Sequence, residues 1–291
     1  MAKKQYAFYP GCSSQKGASA ANFATSIQLM NEKLEIQLNE IPDWNCCGAS
    51  IGYGEGSELQ RLVLNARNLA LAETKLPGQD LVSGCPACWL ATREAAERLN
   101  GAEHLMADTN EALKEAGLNF KGTVKARHMV EVLVEDIGFA GLKAPVVKPL
   151  EDMKIAGYVG CQTNRPFGIA GESFENPMYL DKMIESVGAE PVAFDQKVTC
   201  CGGALAFSEP EKSQKQIKDI VFGYGPLEDL LRLPTISEIM VVDRDHIYVE
   251  NGGVVENSGR RFISDAVTLA IIERIVSRVG RRIDKSQPLV D

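Results

Sequence analysis

The sequence lacks three features that would each place it in a common class of protein. None of its 291 residues lies in an apolar run long enough to cross a bilayer, so direct membrane insertion is not expected. The net charge of −8 disfavours nucleic acid or anionic lipid as a partner, because both attract a positive field. There is no Gly-x-x-x-x-Gly-Lys-[Ser/Thr] loop, which argues against ATP binding of the usual kind.

No apolar stretch follows the basic residues Lys3 and Lys4, so we expect no signal peptide and a cytoplasmic location. Disulfides rarely persist in the cytoplasm. The eight cysteines are therefore better interpreted as metal ligands or redox groups than as structural bridges. With 45% apolar and 24% charged residues, the chain has the composition of a globular protein, and it is long enough for two domains.

A repeated cysteine pattern divides the chain. A lone cysteine occurs in Tyr9-Pro10-Gly11-Cys12 and again in Tyr158-Val159-Gly160-Cys161, and a cysteine pair occurs in Cys46-Cys47-Gly48 and again in Cys200-Cys201-Gly202. The lone cysteine precedes the pair by 34 positions in the first half and by 39 in the second. Two related half-domains follow, and we predict them at 1–147 and 148–219, with a proline-containing loop at the boundary.

Strands and helices alternate within each half, which predicts an α/β fold with mainly parallel sheets. The predicted strands are Gln5–Tyr9, Leu34–Leu38, Asp80–Ser83, Lys154–Val159 and Val192–Phe194. The predicted helices are Ala18–Asn31, Ser57–Leu76, Pro86–Leu99 and Pro177–Val187. After about residue 220 the character changes to a cysteine-free segment, 220–291, for which a small α/β unit is predicted.

Five of the eight cysteines fall in the first half, at Cys12, Cys46, Cys47, Cys85 and Cys88. Soft thiolates select zinc, copper(I) or iron–sulfur clusters. A Cys-x-x-Cys spacing directs two thiolates at one metal centre, whereas adjacent cysteines diverge and suit a cluster with several irons. Three other interpretations remain open, namely inert buried cysteines, structural zinc, and a thioredoxin-like dithiol at Cys85 and Cys88.

A lone cysteine, then Cys-Cys-Gly, then Cys-x-x-Cys resembles the cysteine-rich CCG domain that occurs in the B subunit of heterodisulfide reductase, over about residues 1–219. The resemblance implies a non-cubane [4Fe-4S] cluster with the five first-half cysteines as ligands, and cleavage of a disulfide between two such clusters. It also implies an electron-donor iron–sulfur subunit of the heterodisulfide reductase C type as a partner, with a flavin-bearing A-type subunit as a further candidate. It assigns no other catalytic residue.

The second half departs from this pattern. It has Cys161, Cys200 and Cys201, but no Cys-x-x-Cys follows them, and the expected position near Ile239–Val242 reads Ile-Met-Val-Val. Glu238 and Asp243, on either side of this stretch, offer hard oxygen ligands, which suit such a cluster poorly. The second ligand set is therefore interpreted as incomplete.

The segment 220–291 resembles the N-terminal domain of type II/IV secretion and pilus-assembly ATPases, on the motifs Gly223-Tyr224-Gly225-Pro226-Leu227-Glu228, Glu238-Ile239-Met240-Val241 and Val279-Gly280-Arg281-Arg282-Ile283-Asp284. We interpret the chain as a fusion. The alternative function is accordingly a non-enzymatic protein with one cluster or a bound zinc, whose tail is an interaction module. His128 is interpreted as a capping or packing residue rather than a ligand, with proton donation as a further hypothesis.

Overall fold

A computed structural model describes residues 3–49, 56–203 and 209–281 of the protein. The chain separates into two compact units. The first unit consists of Met1–Leu150, Gln162–Gly171 and Ser186–Gly188, and the second of Glu151–Cys161, Glu172–Glu185 and Ala189–Asp291. Within the described ranges, no helix combines the length and the apolar character needed to cross a membrane.

The first unit is built on a sheet of four parallel strands in the order β2-β1-β3-β4. The strands are β1 (Lys4–Phe8), β2 (Ile36–Glu40), β3 (Leu81–Ser83) and β4 (Ala126–His128). Because β2 and β3 pair on opposite sides of β1, the chain reverses its direction of travel across the sheet at the β1/β3 boundary. In open α/β sheets such a reversal leaves a crevice at the carboxyl ends of the strands, and ligands bind there.

Helices cover this sheet: α1 (Ala21–Lys33), α2 (Glu58–Lys75), α3 (Pro86–Gly101), α4 (Glu103–Leu113), α5 (Met129–Glu131) and α6 (Gly138–Lys143), with a π-helical turn at Val132–Ile137. The α2 helix begins at a capping box formed by Ser57 and Gln60, and it packs against α3 and α4. Its apolar stripe and the strands bury the core residues Ala7, Leu69 and Leu81 almost completely.

The second unit contains two separate sheets. Strands β5 (Lys154–Ala156) and β6 (Glu190–Val192) are parallel, and the helices of this unit that precede its second sheet are α7 (Tyr179–Ser186), α8 (Pro210–Phe222) and α9 (Glu228–Leu231). The second sheet is antiparallel, in the order β7 (Ile236–Val241), β8 (Ile247–Asn251) and β9 (Val254–Asn257), and is followed by α10 (Asp265–Arg278).

This antiparallel sheet has an apolar core of its own, made by residues of α9, β8 and α10 together with Leu227 and Phe262. The carboxyl-terminal helix is tied to the start of the segment, because the guanidinium of Arg274 donates to the Gly223 carbonyl at 2.5 Å. That of Arg278 lies 4.9 Å from the centre of the Tyr224 ring. The antiparallel sheet and its flanking helices therefore share one apolar core within the second unit.

The predicted α/β class with parallel sheets is confirmed, and most predicted elements occur within about two residues of their predicted bounds. The strand predicted at Val192–Phe194 is instead Glu190–Val192. The elements α4, β4, α6 and α8 were not predicted. The bounds 1–147, 148–219 and 220–291 remain predictions, and the end of the third ATPase-like motif, from Arg282 on, lies outside the described residues.

Candidate metal centre

Three loops at the carboxyl edge of the first sheet carry all five first-half cysteines. Cys12 follows β1, the pair Cys46-Cys47 follows β2, and Cys85 follows β3 and begins α3, on which Cys88 lies. Since the carboxyl ends of parallel strands share one edge, residues 76 positions apart in the sequence meet there. The loops after β1 and β3 flank the crevice at which the chain reverses direction.

Four of these five thiols lie in two pairs. The sulfur of Cys46 is 3.5 Å from that of Cys12, and the sulfur of Cys88 is 3.7 Å from that of Cys47. Two thiolates bound at about 2.3 Å to one tetrahedral metal lie about 3.8 Å apart. The observed separations therefore fit pairs of sulfur ligands on a shared metal atom. The structure thus brings the five predicted ligands together.

Hydrogen bonds among the thiols divide them into proton donors and acceptors. Hydrogen bonding with the Cys88 thiol, which has one proton to share between them, lowers the pKa of Cys47 to about 7 and that of Cys85 to about 6. The same hydrogen bonding, together with burial, raises the pKa of Cys88. Burial raises that of Cys46 to about 11. In the metal-free protein, Cys47 and Cys85 therefore form the thiolate needed for metal binding more readily than Cys46 and Cys88 do.

Backbone amides support the thiolate form. Cys85 is the N-cap of α3 and Pro86 takes the first helical position, and the nearby amides of Ala87 and Cys88 lower the pKa of the Cys85 thiol. The amides of Gly48 and Ala49 donate to the sulfurs of Cys46 and Cys47 in the same way. Such donors stabilise negative charge on sulfur whether or not a metal is bound.

Gly11 allows the closest approach within the site. Its backbone, with φ 80° and ψ 159°, lies in a region that essentially only glycine occupies. A Cβ atom added there would lie 2.8 Å from the Cys88 sulfur. The glycine of the Tyr-x-Gly-Cys motif is therefore required both by the backbone and by the space that the sulfur takes.

Buried groups from α2 and α3 form the inner wall. Trp89 follows Cys88 and is fully buried, so its side chain is part of the core. Asn65 on α2 donates to the Cys47 carbonyl at 3.2 Å. Trp44 lies at the edge, where its ring meets that of Tyr9 edge-on at 5.5 Å and its Nε1 donates to Glu40. No motif in the sequence marks Asn65, because an amide on a helix has no signature of its own.

Cys161, Cys200 and Cys201 lie in the second unit on loops equivalent to the first two of the first unit. Cys161 follows β5, the pair follows β6, and the amides of Gly202 and Gly203 each donate to a sulfur of the pair at 3.4 Å. Burial and then hydrogen bonding to Cys200 raise the pKa of Cys161 to about 11. In the described part of this unit no parallel strand or Cys-bearing helix corresponds to β3 and α3.

His128 caps a helix, as the sequence predicted. Its Nδ1 accepts from the Val130 amide, while Nε2 faces the Gly84 carbonyl without completing a hydrogen bond. Burial lowers the pKa of His128 to about 4. Burial therefore favours the neutral imidazole at neutral pH, and proton donation by His128 to a leaving thiolate stays a hypothesis.

We expect the free energy of unfolding to fall by about 3 kcal/mol as the pH drops from 6.5 to 4. Over that range His128 becomes protonated in the unfolded chain, whereas burial keeps it neutral in the folded protein. Above pH 6.5 the imidazole is neutral in both the folded and the unfolded state, so it adds no pH dependence to the free energy of unfolding. The variant His128→Asn keeps an N-cap acceptor but cannot titrate. Urea unfolding at several pH values should show a shallower acid slope for this variant, and equal slopes would contradict the burial of a neutral imidazole.

Comparison with known proteins agrees with this geometry. The chain matches the CCG cysteine-rich domain family over residues 6–93 and 155–221. It is 34% identical over 222 residues to the 8-methylmenaquinol:fumarate reductase membrane anchor subunit of Wolinella succinogenes, covering 75% of this chain and 74% of that subunit. It is 33% identical over 177 residues to the B subunit of the ferredoxin/F(420)H(2)-dependent CoB-CoM heterodisulfide reductase of Methanosarcina acetivorans, covering 60% of this chain and 58% of that protein.

Among solved structures, a hypothetical protein from Helicobacter pylori shares the fold, with a TM-score of 0.50 at 17% identity over 69% of this chain and 35% of that one. The tail has a different relative. Over 69 residues, or 24% of the chain and 20% of the relative, it is 32% identical to a putative conjugal transfer protein of Mycobacterium tuberculosis.

The family match covers more than half of the chain and coincides with both cysteine-bearing regions of the fold. It includes Cys12, Cys46, Cys47, Cys85 and Cys88 in its first part and Cys161, Cys200 and Cys201 in its second. The chain belongs to the CCG cysteine-rich domain family and is a homologue of the heterodisulfide reductase B protein.

Proposed function

We propose that the chain is an iron–sulfur oxidoreductase subunit that reduces a disulfide, or a related thiol-linked substrate, at a non-cubane [4Fe-4S] cluster. The cluster is held by the five cysteines of the first unit. One observation carries this proposal: three loops bring these thiols to one sheet edge, four of them in two pairs whose sulfurs lie 3.5 and 3.7 Å apart. The names of its relatives, which are a fumarate reductase subunit and a heterodisulfide reductase subunit, support a redox role.

The donor set favours a cluster over a single zinc ion. The first unit offers five thiols, whereas a tetrahedral zinc ion takes four ligands. The side chains of adjacent cysteines such as Cys46 and Cys47 also diverge, which suits a cluster with several irons. A bound cluster supplies one-electron transfer and an iron that takes up substrate sulfur.

The chain's own groups would prepare the site for that chemistry. Cys12 and Cys46 are exposed, whereas Cys47 and Cys88 are buried, so the cluster would be anchored on its inner side and reachable from solvent on the other. Amide donors at Cys46, Cys47 and Cys85 would lower the cost of adding an electron to the cluster. Reduction of one disulfide to two thiols needs two electrons and two protons.

Those electrons must come from a partner. We propose an iron–sulfur subunit of the heterodisulfide reductase C type as the donor, with a flavin-bearing A-type subunit as a further member of the complex, in the cytoplasm. The chain spans 58% of the length of its Methanosarcina relative, and its second cysteine set lacks the Cys-x-x-Cys pair. The proposal therefore assigns one complete cluster site to this chain.

Anaerobic purification should give a brown protein with about four irons and four sulfides per chain, as one [4Fe-4S] cluster requires. Iron, sulfide and zinc are measured by elemental and colorimetric analysis, and electron paramagnetic resonance of the oxidised and reduced protein identifies the cluster type. Turnover is then followed with a reduced viologen and small disulfides. A colourless product that contains zinc and no iron would refute the cluster, and a loaded protein that reduces no disulfide would refute the reaction alone.

The tail supports a second candidate function. It folds around its own core, and it resembles a conjugal transfer protein rather than a redox subunit. A fusion protein in which a cluster-bearing or zinc-bearing unit carries an interaction module would have these features. Sequencing genomic DNA across the codons for residues 219–221 tests the join. A pull-down with the full chain against secretion-ATPase subunits and against the electron-donor subunit separates the two functions.

A further inference from the structure

A tyrosine hydroxyl joins the two cysteine loops of the first unit. Tyr9 lies three residues before Cys12 and is fully buried, and its hydroxyl donates to the Asn45 carbonyl at 2.8 Å. Asn45 directly precedes the pair Cys46-Cys47. One hydrogen bond thus ties the segment of the lone cysteine to the segment of the cysteine pair, although 36 positions separate the two residues.

The second unit repeats this bond. Tyr158 lies three residues before Cys161, and its hydroxyl donates at 2.6 Å to the carbonyl of Thr199, which directly precedes Cys200-Cys201. Each tyrosine also meets an aromatic ring edge-on, Trp44 at 5.5 Å in one unit and Phe194 at 6.5 Å in the other. Because the same hydrogen bond occurs at equivalent positions of both units, the loop of each cysteine pair is tied to the loop of its lone cysteine in the same way.

In the first unit a second side chain also binds the backbone of Asn45. Asn68 on α2 is fully buried, accepts from the Asn45 amide at 3.0 Å and donates to the Asn45 carbonyl at 2.8 Å. This carbonyl therefore accepts from both Tyr9 and Asn68, which uses both of its lone pairs. Asn65, one turn earlier on α2, holds the Cys47 carbonyl, so the cysteine pair is fixed on both sides.

We propose that Tyr9 and Asn68 are positioning residues that hold the Cys46-Cys47 segment beside Cys12 before any metal arrives, and that Tyr158 does the same for Cys200-Cys201. The proposal rests on the proposed function insofar as these cysteines are cluster ligands. Ordering a loop during metal binding costs conformational entropy, and a loop that is already fixed avoids that cost. Ligand sulfurs must also reach their positions to within about 0.2 Å, which a loose loop does not ensure.

The variant Tyr9→Phe removes the bond and keeps the ring, and Tyr6→Phe is its matched control. Tyr6 lies on β1, three residues before Tyr9, and is also buried, but its hydroxyl donates to Asp136, away from the cysteines. In the metal-free full chain, hydrogen–deuterium exchange of the amides at 45–48 should rise about tenfold in Tyr9→Phe, the factor that one lost hydrogen bond represents. It should stay unchanged in Tyr6→Phe. Tyr158→Phe should raise exchange at 200–203 alone.

After anaerobic reconstitution, the loaded Tyr9→Phe protein should bind less iron and give a heterogeneous paramagnetic resonance spectrum, while Tyr6→Phe gives the native spectrum. A merely structural role would lower stability in both variants without changing that spectrum. Native exchange and a native spectrum in Tyr9→Phe would overturn the proposal, as would an equal effect of Tyr6→Phe. If Tyr9→Phe fails to fold, Asn68→Ser gives the same readouts. Failure of the native protein to bind iron would refute the proposed function but leave the metal-free exchange result standing.

Discussion

Replacing Gly11 with alanine is expected to abolish most iron binding and to destabilise the protein. An alanine at φ 80° and ψ 159° costs about 1 to 3 kcal/mol in backbone strain. Its Cβ would lie 2.8 Å from the Cys88 sulfur, inside van der Waals contact, so that sulfur must move by several tenths of an ångström. That movement exceeds the tolerance of about 0.2 Å for a metal ligand. Iron per chain and the visible absorption of the reconstituted variant measure the loss.

Gly17→Ala provides the matched control. Gly17 also has a positive φ, of 83°, but no atom lies within 4 Å of the Cβ that would be added. This variant should show only the backbone cost, about 1 to 2 kcal/mol, and bind iron as the native chain does. If both variants lose iron equally, backbone strain rather than contact with Cys88 is the cause. If Gly11→Ala binds native amounts of iron, the proposed arrangement of ligands around Cys88 is wrong.

The meeting of the cysteine loops at one sheet edge was largely predictable, because cysteine spacing and strand periodicity are both visible in the sequence. A lone cysteine directly after the strand at Gln5–Tyr9 and a Cys-x-x-Cys directly after the one at Asp80–Ser83 indicate two loops at the same sheet edge. The Pro86 that opens α3 also marks Cys85 as a helix cap. These signals are local, and the parallel arrangement of strands converts them into a three-dimensional site.

Long-range polar contacts left no such signal. Asn65 and Asn68 lie on a helix whose apolar stripe was recognisable, but nothing in their spacing says that their amides meet the backbone at Asn45 and Cys47. The bond from Tyr9 was hidden for the same reason, because it joins residues that are far apart in the sequence. Contacts of this kind depend on the packed arrangement of α2 against the cysteine loop, and sequence periodicity alone does not define it.

The role of His128 also required the structure. Its position before Met129 suggested a helix start, which is confirmed, but the sequence left open whether the imidazole carries a proton. That depends on burial, and burial depends on how β4 lies beside β3 and α3. A histidine whose Nε2 lies in the interior without a completed hydrogen bond stays neutral, and no sequence pattern distinguishes it from an exposed one.

Replacing Cys88 with serine should remove nearly all iron, whereas replacing Cys201 with serine should leave it in place. Serine is nearly isosteric, but it offers a hard oxygen in place of a soft thiolate, and Cys88 belongs to the buried thiol pair with Cys47. We expect iron to fall from about four to below about one per chain in Cys88→Ser. Cys201 belongs to a set of three thiols without the following pair, so its loss should not lower the iron content.

The two variants together decide how many clusters the chain holds. Iron is measured on reconstituted protein, and unfolding of the metal-free variants verifies that both are folded, since a conservative change at either position should cost about 1 kcal/mol. Loss of half the iron in Cys201→Ser would mean that Cys161, Cys200 and Cys201 hold a cluster of their own, contrary to the one-site assignment. Retention of iron in Cys88→Ser would remove Cys88 from the ligand set. The expected pattern is loss of iron in Cys88→Ser and retention of iron in Cys201→Ser. It would assign the redox chemistry of this chain to the first unit. Among the described residues, that unit alone combines three cysteine loops with a crevice at the sheet edge.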